Sequence, residues 1–177
     1  MKTLKKFMIV CVLMASAGAV AQNDKDKEVM ADAEKAKSTL IMKDPGLETL
    51  FKKASGYAIF PNVGKGGLIV GGASGNGVVY ENGTAVGMTS LKKVNIGLQA
   101  GGQSMIQVIF FETDAALAKF KKANYEFSAE ASAVVAEEGK SENVSYSDGV
   151  LIFTLPKAGL MADASVGGQK FEYHPFQ

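Results

Sequence analysis

The chain of 177 residues has no arginine, no tryptophan, one histidine, one cysteine and four prolines. Each scarcity removes a class of chemistry. With lysine as the sole basic residue, any anion meets mobile point charges and not the bidentate guanidinium fork. With His174 alone, neither a Ser-His-acid triad nor a two-histidine metal site can be assembled. Cys11 lies in a segment expected to be removed, and its loss leaves no disulfide, thiol nucleophile or thiolate ligand. Charge of one sign is missing too: nineteen lysines face eighteen carboxylates, a net charge of +1. Nothing in that balance favours nucleic acid.

What is present begins with Lys2, Lys5 and Lys6, then the apolar run Phe7 to Ala17 and the small-x-small triplet Ala19-Val20-Ala21. These are the parts of a secretory signal peptide over residues 1–21. Cleavage before Gln22 predicts a periplasmic or secreted protein. The apolar run is shorter than the ~20 residues of a spanning helix. Removing the 21 residues with their three lysines leaves 156 residues with sixteen cations and eighteen carboxylates, a net charge of −2. That length suits one domain with a real core.

Residues 22–43 form a separate N-terminal helix, with Val29, Ala33, Ala36 and Leu40 on one face. An alanine-rich stripe favours packing on a sheet over docking on a membrane. Asp44-Pro45 reads as an N-cap and first helical position for a second helix carrying Leu47, Leu50, Phe51 and Ala54.

The stretch Ser55 to Gly77 organises the remainder. Its apolar runs Tyr57 to Phe60 and Leu68 to Val70 have strand length. Between them Pro61 donates no ladder bond and Gly64, Gly66 and Gly67 permit positive φ, so the chain is expected to leave the sheet and turn there with Lys65 on the turn. Glycines 71, 72, 75 and 77 then imply a bent surface. Asn82-Gly83 predicts a two-residue type I′ hairpin, and Lys92-Lys93 a further turn before a strand over 94–100. Met105 to Phe111 reads as a central strand, and Thr113-Asp114 opens a short helix. Strands over 127–135, 150–155, 159–166 and 169–173 complete the chain. The fold class is α+β: a strongly curved, mostly antiparallel or barrel-like sheet of about eight strands with two or three covering helices.

Enzyme chemistry finds no support. Gly71 to Gly77 lacks the G-x-x-x-x-G-K-[ST] spacing and precedes a strand, where a phosphate loop needs a helix N-terminus. Glu112, Asp114, Glu126 and Glu130 show no spacing that singles out an acid-base pair. No cofactor is expected. On the residues alone, Gly64-Lys65-Gly66-Gly67 is either a concave anion nest or a polar hairpin tip, the latter being commoner.

Taken together, Ser55-Gly56-Tyr57-Ala58-Ile59-Phe60-Pro61, Lys65-x-Gly67, Gly71-Gly72-x-x-Gly75-x-Gly77-Val78 and Gly97-Leu98-Gln99-Ala100-Gly101-Gly102-Gln103 resemble the SYLF domain family over residues 44–177. The resemblance implies a noncatalytic lipid-binding domain. Eukaryotic members recognise phosphoinositides and some bind actin filaments, while many bacterial members are small exported proteins. Carried to this chain, it predicts an anionic phospholipid at a periplasmic membrane face as the partner. Lys65, Gly64, Gly66 and Gly67 form the signature turn, Phe60 and Val63 enter the acyl boundary, and Lys92 and Lys93 add attraction. The alternative is an envelope interaction protein that holds a protein partner.

Overall fold

The computed structural model describes residues 24–66, 72–94, 103–122, 125–127, 133–157 and 168–176. Three α-helices occur among them: α1 over residues 24–43, α2 over Leu47–Lys53 and α3 over Asp114–Phe120. The strands are β1 (Gly56–Gly66), β2 (Gly72–Glu81), β3 (Thr84–Val94), β4 (Gln103–Phe111), β5 (Tyr125–Glu126), β6 (Val134–Val135), β7 (Val150–Pro156) and β8 (Gln169–Pro175). They make one sheet in the order β5-β8-β3-β2-β1-β4-β7-β6. All pairs are antiparallel except β6 with β7. The α+β class with a strongly curled, half-barrel sheet is thus as the sequence indicated. The signal-peptide segment and the expected strands over 68–70, 95–100 and 159–166 lie outside the described residues.

Both faces of this sheet are buried, which explains the unbroken apolar run of β4. On one face Tyr57, Ile59, Val78, Ile106, Val108, Phe110 and Phe153 pack under α1 and α2, which contribute Ala33, Ala36, Leu40, Leu47 and Phe51. The alanines hold α1 close to the sheet, as their stripe predicted. On the other face Ala58, Phe60, Val63, Val79, Ile109, Phe111 and Ile152 meet Leu117 and Phe120 of α3 and Phe171 of β8. Alternation in β1 would place Phe60 and Val63, three apart, on opposite faces. They share one because the register shifts between them against β4, a bulge that absorbs the missing N–H of Pro61.

Two turn assignments and one strand assignment therefore change. Pro61 to Gly66 does not leave the sheet but continues β1, with Gly64, Lys65 and Gly66 opposite Ser74, Ala73 and Gly72. Lys92-Lys93 is no turn either, because β3 runs through to Val94 beside β8. Phe127 stands outside any strand, and the expected strand there is reduced, among the described residues, to Val134–Val135. The Asn82-Gly83 hairpin does form, with φ of 50° and 78°.

Two polar devices fix the assembly. Asp44 is not a helix cap: α2 starts at Leu47 after Gly46, and the Asp44 carboxylate, 1 % exposed, instead accepts the Ser141 N–H at 2.8 Å, the Ser141 hydroxyl at 2.8 Å and the Gly46 N–H at 3.2 Å. A side chain at residue 46 would begin 2.2 Å from the Ser141 hydroxyl, so glycine is needed for this approach. Inside the curl, buried Gln107 of β4 and Gln169 of β8 exchange amide hydrogen bonds of 2.9 and 3.3 Å. Their strands are separated in the sheet by β1, β2 and β3, so this pair bridges the curvature directly.

Candidate functional site

Strand register decides which lysines share a surface. One row of paired residues across the sheet reads Lys170, Lys92, Ser74, Gly64 and Ser104, and the Lys157 N–H extends it by bonding the Ser104 carbonyl at 2.9 Å. The next row reads Gln169, Lys93, Ala73, Lys65 and Gln103. Adjacent rows alternate between the two faces of the sheet, so the first row alone groups lysines: it carries Lys92 and Lys170 with Lys157 beside Ser104, and Glu126 of β5 closes it opposite Lys170. The neighbouring acids are Glu172, 3.7 Å from Lys92, and Glu126, 3.6 Å from Lys170. Both are solvent-exposed pairs of small energetic weight.

The predicted residues divide between this end and the interior. Gly64, Lys65 and Gly66 belong to a central strand whose amides are committed alternately to β2 and β4, which removes the concave anion nest proposed for them. Gly67 lies outside the described residues. Phe60 and Val63 are fully buried against α3, β8 and their neighbours, so neither is presented to an acyl boundary. Lys92 is exposed, and Lys93 follows it on β3. Sequence reasoning missed Lys157 and Lys170, because only the pairing of distant strands brings them to the row of Lys92. No local spacing marks them.

Two clefts flank α1. The first, about 520 Å³, lies at its N-terminal end among Lys25, Asp26, Val29, Met88, His174 and Phe176. The second, about 420 Å³, lies between the C-terminal half of α1 and the lysine-bearing end of β1, β4 and β7. Between them α1 is tied down by two phenols. Tyr80 donates to the Glu34 carboxylate at 2.9 Å, and burial with that anion pushes its pKa well above the ordinary tyrosine value. The Lys37 ammonium donates to the Tyr57 hydroxyl at 2.9 Å and sits 5.0 Å from the Phe51 ring centroid. Tyr57 and Tyr80 stack on each other at 4.8 Å.

Among the described residues no group of His, Cys, Asp and Glu could hold a metal ion, and no helix is long and apolar enough to cross a membrane. Glu112 and Asp114 are exposed near α3, whereas Glu126 is engaged by Lys170 across the sheet.

Two comparisons bear on this geometry. Residues 92–174 match the family described as "Ysc84: Las17-binding protein actin regulator". The chain is also 32 % identical over 141 residues to Beta cell expansion factor A of Aeromonas veronii, an alignment that covers 78 % of this chain and 53 % of that protein. The chain therefore spans about half the length of that curated relative.

Proposed function

From the premise that this chain belongs to the SYLF (Ysc84) family, we propose that it is an exported, noncatalytic domain that binds anionic phospholipid at a periplasmic membrane face. The observation that supports the reading is the lysine-bearing rows at one end of the sheet, the first of which carries Lys92, Lys157 and Lys170 against one carboxylate, Glu126. Each lysine held near an anionic surface contributes about 1 kcal/mol, an attraction that falls off within a Debye length. Contact is therefore electrostatic, shallow and salt-sensitive. Phe60 and Val63 are buried in the core and take no part in the contact.

Co-sedimentation with vesicles containing phosphatidylglycerol tests this. The native protein is expected to pellet at low salt and to be released at ~0.5 M salt, where the Debye length shrinks to a few ångströms. Lys92→Glu with Lys170→Glu, a cross-strand pair on one row, should reduce partitioning at least tenfold, and Lys65→Glu alone by less. Equal pelleting of the double variant at low salt would remove the lysine rows from the mechanism. The family's description as Las17-binding supports a second reading, in which the same end holds a protein partner. A stoichiometric protein retained at low salt, with no vesicle binding, would favour it.

A further inference from the structure

The second cleft has a composition distinct from the open sheet end beside it. Its floor is apolar: Ala36, Pro61 and Ile106 are buried, with Leu155 and Pro156 half-buried. Its rim is cationic, with Lys35 and Lys43 from α1 and Lys157 from the end of β7. Asp32 is the one carboxylate lining it, and it already pairs with Lys35 at 3.3 Å. Lys157 is held in place, since its ammonium donates to the side-chain oxygen of Asn62, which also lines the cleft. Two ammonium groups, Lys43 and Lys157, therefore have no carboxylate partner among the described residues.

A volume of about 420 Å³ falls in the range that holds a single small ligand, roughly 300–1,000 Å³. Cations above an apolar floor match a molecule with an anionic head and a short apolar body. A phosphate monoester meets lysines well, because it needs point charge and not a planar fork.

We propose that the cleft between α1 and the ends of β1, β4 and β7 binds one amphiphilic phosphate monoester, with the phosphate between Lys43 and Lys157 and its apolar body against Pro61, Ile106 and Leu155. The proposal rests on the phospholipid reading above and gives it a discrete pocket beside the lysine rows. Ser104, bonded by the Lys157 amide, links the two places.

Titration of the purified protein with dihexanoyl phosphatidate below its micelle concentration, followed by NMR, tests the pocket. Saturable shifts are expected at Thr39, Asn62 and Leu155, and Lys43→Glu with Lys157→Glu should weaken binding at least tenfold. Both lysines are exposed, and an unchanged circular dichroism spectrum verifies the fold of the variant. Glycerol 3-phosphate, which has the head without the apolar body, should bind at least tenfold more weakly. Equal binding of the two compounds would make this a site for free phosphate esters and overturn the amphiphile assignment. Native protein that pellets with vesicles yet shows no saturable dihexanoyl phosphatidate binding overturns the cleft while leaving the membrane reading intact. Failure of both experiments overturns both.

Discussion

Asp44→Ala is expected to lower the stability of the fold by about 3 kcal/mol, because it strips the acceptor from three donors at once. The Ser141 N–H and hydroxyl and the Gly46 N–H all end on this carboxylate, and Ser141 is itself buried. Hydrogen bonds to a charged acceptor contribute roughly 1.5–3 kcal/mol each. Relief from keeping a buried carboxylate with no cation beside it offsets part of the sum. In a domain of this size the loss corresponds to roughly 6–12 °C in melting temperature, at about 2–4 °C per kcal/mol. Ser141→Ala removes one bond and should cost about 1 kcal/mol. Asp44→Asn turns an N–H2 toward one of its former donors and should fall between the two. Thermal melts of the three variants verify the order, and an Asp44→Ala melt within 2 °C of the native one would show that the clasp joining α1 and α2 to the 137–148 loop carries no weight.

The second large effect concerns the curl. Gln169→Leu is expected to cost about 2 kcal/mol, since it leaves the carbonyl and the amide of buried Gln107 without their partner. The Thr154 hydroxyl is buried without a hydrogen-bond partner among the described residues and stands opposite Gln107 across β4 and β7. It is placed to take up one orphaned group and so moderates the loss. Gln107→Leu with Gln169→Leu removes both amides and should recover to within about 1 kcal/mol of the native protein, a coupling of at least ~1 kcal/mol in a double-mutant cycle. Additive losses in denaturant titrations would mean that the two amides act independently and that the curl is held by apolar packing alone.

Much of the fold was legible because its signals are local. Asn82-Gly83 supplies positive φ at both turn positions, Thr113 accepts from the Ala116 N–H as a cap should, and the alanine stripe of α1 fits a close-packed helix. The errors share one cause, which is pairing between distant segments. Pro61 reads as a strand breaker, yet in β1 its missing donor falls within a register shift. Lys92 and Lys93 read as a turn, yet Lys170 and Gln169 arrive from β8 to pair with them. The same non-locality hid the proposed contact surface. Lys157 and Lys170 join Lys92 through ladders that no spacing in the chain announces, while Phe60 and Val63, read as membrane anchors in isolation, are claimed by α3 and Phe171. The clasp and the amide pair span 97 and 62 residues, beyond any local pattern.

Family membership points to a lipid or a protein as the kind of partner, and the proposed contact lies at the lysine-bearing end of the sheet. A defined orientation on vesicles is the direct consequence of the proposed contact. With Cys11 inside the expected signal segment, single cysteines in a chain that starts at Gln22 give unambiguous labels. An environment-sensitive dye at Ser74→Cys, on the first lysine row, should shift to the blue when vesicles containing phosphatidylglycerol are added and return when salt is raised. The same dye at Glu112→Cys, beyond the far end of β4, should stay unchanged. A shift at residue 112 with none at residue 74 would contradict docking through the lysine rows.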